Sequence, residues 1–410
     1  MMHSSSAILV GKERSVAAMR PNAAHSRHRP LRVLHVVSRM RRAGIETWLM
    51  HVLRSVDSEH VQMDFLVHST KPADFDAEIR SRGSQLLYAG PFRQLWSYGR
   101  RVRELLERQP PYDVVHSHID CLSGYVLKSA AEAGVPIRIA HSHNDQNRSF
   151  SQLRWSLKLL SHHGKSLVAK YRTHGLAASK LAGNSLFGES AASRRWNVLP
   201  CGIDLEPDER TTAPADVRRE FGISEDALVI GHVGRFEEQK NHRLIVRIAE
   251  SLRRRTEKCH FVLVGAGLLL RSIEQEVRTR GLEKVVTFAG VRADVPRLFG
   301  SLFDVFLFPS HFEGLGLVLV ESQAAGCPAV ISQVIPAEAD VVPNLVTRLP
   351  LAASPEIWAE AILAVAKRPR TTEMRAKAYR TVVESPFNIE RCVADLTSFY
   401  QSAALSRAVA

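Results

Sequence analysis

The sequence predicts an α/β fold: two Rossmann-like, doubly wound domains, each a parallel sheet with helices on its faces. Three observations predict it. Short apolar runs that fit buried parallel strands alternate with segments of helical period along the chain. Several runs end in a glycine turn that opens the next helix, at Gly44 and again at Gly314 and Gly316. At 410 residues, the chain is long enough for two or three separate cores.

The composition, 45% hydrophobic and 24% charged, is that of a globular protein. No window approaches 18 apolar residues, so no membrane-spanning helix is expected. Five cysteines are scattered without a C-x-x-C pair, which argues against a zinc ribbon or a disulfide framework and fits a reducing cytoplasm. The formal charge of +13 asks for an anionic partner: a nucleotide-sugar, an anionic lipid or a nucleic acid. No zinc finger, RNP-type motif or basic zipper is present, so nucleic acid is not expected. Residues 1–30 mix Ser, Ala, Arg and His around one short apolar run, Ala7 to Val10, and read as a disordered arm.

The first domain is read over residues 31–204. Leu31 to Val37 is its first buried strand, and Ile45 to Val56 a helix with Ile45, Trp48, Leu49, Val52 and Leu53 on one stripe. Gly44, just before that helix, marks where backbone approaches a ligand; packing alone is the competing reading. Strands follow at Val61–His68, Gln85–Tyr88, Asp113–His116 and Pro136–Ala140, with helices at Ala73–Arg82, Leu95–Arg108 and Cys121–Ala133. His116 and His118 close one strand, and His141 and His143 follow another. Their i, i+2 spacing in loops, with no supporting carboxylate or cysteine set, is poor evidence for a metal, and none is expected.

From Gln146 to Gly188 there is no Asp or Glu, while Arg148, Arg154, Lys158, Lys165, Lys170, Arg172 and Lys180 alternate with Trp155 and several leucines. Such a segment, 148–180, suits a helix lying on an anionic membrane surface; covering an acceptor cleft, or an ordinary basic surface helix, fits as well. A strand at Thr173–Ser179 and a helix at Lys180–Phe187 lead to Asn197–Asp204. Cys201 there is read either as an exposed reactive thiol or as a space filler.

The second domain is read over residues 205–385. Leu228–Val233 is its first strand, followed by the loop Gly234–Asn241 and a helix from His242 to Leu252. Arg235 and Lys240 on that loop are cations placed to neutralise a departing diphosphate. Cys259–Val264 runs into Gly265-Ala266-Gly267, which lacks the third glycine of a dinucleotide fingerprint. Val285–Phe288, a helix at Asp294 and Asp304–Phe308 come next. Then Glu313-Gly314-Leu315-Gly316-Leu317 leads into a helix ending near Ala325, with Glu321 inside it. Glu313 and Glu321 are eight steps apart, which on a helix returns to nearly one face, and carboxylates accept hydrogen bonds from a vicinal diol. Strands at Ala329–Ser332 and Val346–Leu349 and helices at Pro355–Ala366, Thr372–Val383 and Phe387–Tyr400 finish the chain.

The Glu313-x7-Glu321 stretch and the loop Gly234-Arg235-x4-Lys240-Asn241 resemble the donor-site motifs of family 4 glycosyltransferases, which have the GT-B fold. The runs Ala43–Met50 and Arg138–Asn144 are similar to those of the exopolysaccharide-type members. The family commonly has two glycines where this chain has Ala43-Gly44, and Asn where it has Cys201. The resemblance implies that Glu313 and His141 contact the donor sugar, with His118 and His143 in support or on the acceptor side. It implies that Glu321 holds the ribose, that Arg235 and Lys240 hold the diphosphate, and that the backbone at Val291 and Arg292 flanks the base. Gly44, Gly314, Leu315, Gly316 and Leu317 complete the donor site. It also implies a last segment, 386–410, whose helix crosses back to the acceptor-side first domain.

The resulting expectation is a retaining, metal-independent hexosyltransferase without a bound cofactor. It would act on a nucleotide-sugar, with UDP favoured, and on a saccharide or polyprenyl-linked oligosaccharide acceptor, in the cytoplasm or on the inner face of the plasma membrane. A GT-B sugar-nucleotide epimerase and a non-catalytic nucleotide-sugar binding subunit are the alternatives.

Overall fold

The computed structural model describes residues 29–92, 95–145, 155–189, 196–205 and 214–408. The arm, except Arg29 and Pro30, and the start of the basic segment with Arg148 and Arg154 lie outside the described residues. The first unit runs β1 (Leu31–Val36), α1 (Gly44–Ser55), β2 (Val61–Val67), α2 (Asp76–Ser81), β3 (Leu86–Tyr88), α3 (Leu95–Arg108), β4 (Val114–Ser117), α4 (Ser123–Glu132), β5 (Ile137–Ser142), α5 (Trp155–Tyr171), β6 (His174–Ala177), α6 (Lys180–Phe187) and β7 (Asn197–Val198). The second runs α7 (Pro214–Glu220), β8 (Leu228–Val233), α8 (His242–Arg253), β9 (Cys259–Val264), α9 (Leu270–Thr279), β10 (Val286–Gly290), α10 (Val295–Ser301), β11 (Val305–Phe308), α11 (Leu317–Ala324), β12 (Ala329–Ser332), β13 (Val346–Leu349), α12 (Pro355–Ala366), α13 (Thr372–Val383) and α14 (Ile389–Ala408).

The first sheet has the order β3-β2-β1-β4-β5-β6-β7 and the second β10-β9-β8-β11-β12-β13. Within each, every pairing is parallel. In both, the chain starts in the middle, winds one way, and then jumps to the other side. That leaves a switch point between β1 and β4 and another between β8 and β11, where neighbouring loops diverge and ligands bind.

Strands buried on both faces need cores on both faces. Trp48, Leu49 and Phe65 pack on one side of the first sheet, and Tyr98, Val126 and Leu127 on the other. Helix α5 lies tight on α4: a side chain at Gly124 would strike the Gly164 backbone, and one at Gly164 would strike Cys121. The two sheets meet at their C-terminal edges. Ser179 Oγ donates to the Gly314 carbonyl at 2.5 Å, and the Lys180 amide to Glu338 at 3.0 Å. Helix α14 returns to the first unit, where the Trp48 indole donates to Cys392 Sγ at 3.3 Å.

Four elements differ from the sequence reading. Strand β5 extends to Ser142, so His141 lies inside it rather than in the loop beyond. Helices α7 and α9 pass unnoticed in the sequence, because Val217 alone, and Ile273 with Val277, are their buried positions; so few apolar residues make a weak periodic signal. Helix α14 begins at Ile389, since the preceding backbone bridges Ile203 instead: the Ile203 amide donates to the Phe387 carbonyl at 2.7 Å.

Candidate functional site

At the second switch point, the loops after β8 and β11 lock together. The Gln239 side chain donates to the Phe312 carbonyl at 3.0 Å, Asn241 to the Pro309 carbonyl at 3.2 Å, and the His311 amide to the Gln239 carbonyl at 2.8 Å. Asn241 takes a left-handed backbone, φ 56°, to turn from this loop into α8. The result brings Lys240 to Glu313: Nζ to Oε1 is 2.7 Å, with side chains only 14% and 7% exposed. Lys240 Nζ also sits 4.7 Å from the Phe308 ring centre. The other Glu313 oxygen accepts from Gln239 at 3.3 Å. A buried carboxylate so held is fixed in place.

Arg235 is more open, paired with Glu237 at 3.0 Å. Gly316 turns with φ 89° and starts α11 without a side-chain cap, leaving the first amides of the helix as donors. Leu315 is buried behind the turn, and Leu317 is the first helical residue. The close approach at Gly314 is made by the protein itself, because a side chain there would strike the His143 carbonyl. Glu313 lies in the loop four residues ahead of α11, so the two glutamates are not on one helix face as the spacing suggests. Glu321 is on the helix, and burial pushes its carboxyl up to about 7. Val291 is 57% exposed. Arg292 spends its guanidinium on Asp294 and Glu220, which leaves its backbone, not its side chain, for a ligand.

The first switch point holds a cavity of about 250 Å³ between the loops after β1 and β4, lined by Val37, Ser38, Ile45, Glu46, His118–Leu122 and Asn144. Gly44, next in the chain to the lining residue Ile45, has nothing within reach of a side chain, so packing does not account for this glycine. Its helix, α1, has no side-chain cap. Two residues here were not foreseen. Glu46, in the first turn of α1, has its carboxyl raised by burial, with a backbone hydrogen bond, Arg41 and Arg235 opposing. Asp120 holds a left-handed backbone, φ 51°, and accepts from the His143 amide at 3.3 Å. An acid just past a ligand-facing glycine could have flagged Glu46; nothing in the sequence marks Asp120.

Behind the cavity, five histidines join ring to ring. His35 Nδ1 meets His118 Nε2 at 3.0 Å, His118 Nδ1 meets His143 Nε2 at 2.9 Å, and Cys201 Sγ meets His143 Nδ1 at 3.6 Å. In a second branch, Tyr400 on α14 meets His116 Nδ1 at 2.7 Å, and His116 Nε2 meets His141 Nδ1 at 3.2 Å. The Trp48 ring packs edge-on against His118 and His141. Burial drives His35 and His143 down to about 3 and His116, His118 and His141 well below the ordinary imidazole value, so all five are neutral at pH 7. His141 is wholly buried in β5; His118 is the histidine that lines the cavity. Cys201 is buried as well, and its thiol is pushed up by that burial, so it fills space rather than presenting a reactive thiol. His35, a lone imidazole inside an apolar strand, was the overlooked signal for this cluster.

Two family models match the chain: Glycosyltransferase Family 4 over residues 42–207 and Glycosyl transferases group 1 over residues 215–382. The chain is 37% identical to the putative glycosyltransferase EpsF of Bacillus subtilis (strain 168), covering 90% of this chain and 96% of that protein. It is 25% identical to the capsular polysaccharide biosynthesis glycosyltransferase CapH of Staphylococcus aureus, over 74% of this chain and 82% of that one. Among solved structures, Anabaena HepE in complex with UDP and glucose superposes with a TM-score of 0.74 at 17% identity, covering 91% of this chain and all of that one.

Proposed function

Since this chain belongs to glycosyltransferase family 4 and has the GT-B fold, we propose that it moves a hexosyl group from a UDP-sugar to a glycan or polyprenyl-linked saccharide, with retention of configuration, in cell-surface polysaccharide synthesis. The observation that carries this reading is the buried Lys240–Glu313 pair beside Arg235 at the second switch point. A carboxylate locked by a lysine is a rigid acceptor for sugar hydroxyls. The same lysine and the more open Arg235 are fixed positive charges where a nucleoside diphosphate would leave, the place where preorganised charge lowers a barrier most. In this reading they do the work of a metal, so transfer needs none.

Glu321 holds the ribose, and the uncapped amides at Leu317 and Gly44 meet phosphate or sugar oxygens. Val291 and the Arg292 backbone flank the base. The acceptor enters from the cavity beside Glu46 and His118, while His141 acts from the strand by holding its neighbours in place. UDP is favoured by the HepE complex, and a surface polysaccharide by the name of CapH.

Helix α5 supports a membrane-bound acceptor. Its outward side shows Trp155 at 75% and Leu159 at 60% exposure, with Lys158 between them, while the opposite side packs on α4. Apolar and cationic residues together favour an anionic bilayer surface. Lys165 is less free, since it donates to the Ser185 carbonyl at 2.6 Å. Retention on anionic vesicles should be lost in Trp155→Ala with Lys158→Glu.

The direct test screens UDP-, GDP- and ADP-sugars by thermal shift without metal, then follows transfer in a chelator. A selective rise with one UDP-sugar, and chelator-resistant transfer to a lipid-linked saccharide, are expected. No shift with any donor sinks the proposal. A new sugar-nucleotide formed without acceptor would make the protein an epimerase, and binding without turnover a donor-binding subunit.

A further inference from the structure

In the reaction just proposed only His118 borders the acceptor cavity and His141 positions its neighbours; the rest of the five-histidine cluster is not used, and the cluster has an uncommon composition. Its described ring-to-ring bonds run His35–His118–His143 and His116–His141, ending on Cys201 and Tyr400. One ring nitrogen from each of His118, His141 and His143 lies within 4.8 Å of the other two, and all three residues are buried. Nε2 of His141 makes no hydrogen bond of normal geometry among the described residues.

We propose that His118, His141 and His143 bind one first-row transition ion of the Zn²⁺ type, at a site separate from the transfer chemistry. The bookkeeping of ring nitrogens supports it. A ligating histidine uses one nitrogen for the metal and donates the other N–H to an outer partner that fixes its orientation. Each of the three has such a partner. With His118 ligating through Nδ1, its Nε2–H donates to His35. With His143 ligating through Nε2, its Nδ1–H donates to Cys201. With His141 ligating through Nε2, its Nδ1–H donates to His116, whose own Nδ1–H then donates to the Tyr400 oxygen. That uses the one nitrogen of the triad with no hydrogen bond of normal geometry among the described residues, although the His141 ring also approaches the Leu199 backbone, and every ring keeps a consistent tautomer.

Without an ion, His118 Nδ1 and His143 Nε2 share a single proton at 2.9 Å. Zinc–nitrogen bonds are about 2.0–2.1 Å, so a small rotation of the rings around the position of that proton suffices. Three imidazoles leave a fourth position for water, and His118 at the cavity edge gives the ion its route in. The other triad, His35, His116 and His118, is the poorer one. His116 already has both nitrogens engaged, with Tyr400 and His141, and His118 can serve only one ion.

The site ties the ends of β4 and β5 together and, through His116 and Tyr400, fastens α14 to them. The ion touches neither Arg235, Lys240 nor Glu313, so this inference and the transfer proposal fail separately.

The test uses the untagged full-length chain, stripped by a chelator and then offered Zn²⁺ or Co²⁺. Elemental analysis after desalting should give one ion per chain, melting temperature should rise with added ion, and Co²⁺ should show the visible bands of a low-coordinate nitrogen site. Both His118→Gln and His141→Gln should lose the ion and the shift, while Glu313→Gln keeps them. Transfer by the stripped chain, assayed well below its melting temperature, should persist. If the wild-type chain retains no ion and shows no cobalt bands, the cluster is only a hydrogen-bonded network. Retention of the ion unchanged in both histidine variants would place it elsewhere. Should a histidine variant not fold, the cobalt spectrum of the wild type decides alone.

Discussion

The two switch points share a strand order and differ in everything that faces the ligand. Between β8 and β11 the loops carry a buried ion pair and an open arginine. Between β1 and β4 they carry neutral imidazoles around an indole, with Glu46 and Asp120 at the mouth. Topology therefore decides where a ligand sits, and side chains decide what it is. In the proposed reaction the diphosphate needs fixed positive charge and the sugar acceptor does not.

The contrast breaks most readily at its charged end. Lys240→Ala and Arg235→Ala should each lower kcat at saturating donor by about 10²–10³, or about 2.7–4 kcal/mol of transition-state stabilisation. Lys240→Ala should be the worse, because it also strands the buried Glu313. Near-normal rates in both variants would remove the charged half of the comparison.

Glu321 gives the next largest effect. Its carboxyl sits at about 7 in the folded chain against 4.5 when free, so the folded state holds this proton longer than the unfolded one. The resulting stability is fully present below pH 4.5 and is lost as pH rises through 7. Glu321→Gln should therefore stabilise the ligand-free chain at pH 8, by at most about 3 kcal/mol, and hardly at all at pH 4. Equal melting shifts at both pH values would contradict the carboxyl's burial.

Gly314→Ala sharpens the comparison by testing where the two edges touch. The added methyl meets the His143 carbonyl, and overpacking of this kind costs about 1–3 kcal/mol, seen as a lower melting temperature. An unchanged value would mean that the edges part freely. Tyr400→Phe is the mildest change, removing the hydroxyl that meets His116. It should cost about 1 kcal/mol in denaturant melts and leave the transfer rate alone.

Most of the architecture was legible, because buried parallel strands and glycine turns are strong local signals. Leu228–Val233 and Ala329–Ser332 are found where their apolar runs are. Arg235, Lys240, Glu313 and Glu321 stand out because they match the family's donor-site motifs, the first two on the loop after β8, Glu313 on the loop after β11 and Glu321 in α11. The pairing of Lys240 with Glu313 across 73 positions was not legible, since spacing along the chain says nothing about which loops interlock. The histidines show the same limit more sharply. His116, His118, His141 and His143 looked like two loop pairs, yet they meet through parallel register, with His116 opposite Ile139. His35 and Tyr400 join them from distant elements. Weakly periodic helices such as α9, and the turn that strains Asp120, left no trace that elementary rules could find.

Helix α14 has a consequence for how this protein comes into being. Tyr400 lies 284 positions beyond His116. At about 5–20 residues per second, the ribosome needs roughly 15–60 s to make the second after the first. For that interval the N-terminal half waits with one branch of its interior unanswered and the Trp48 face uncovered by Cys392. A message truncated near its end would yield both sheets and still leave the earlier one unfinished.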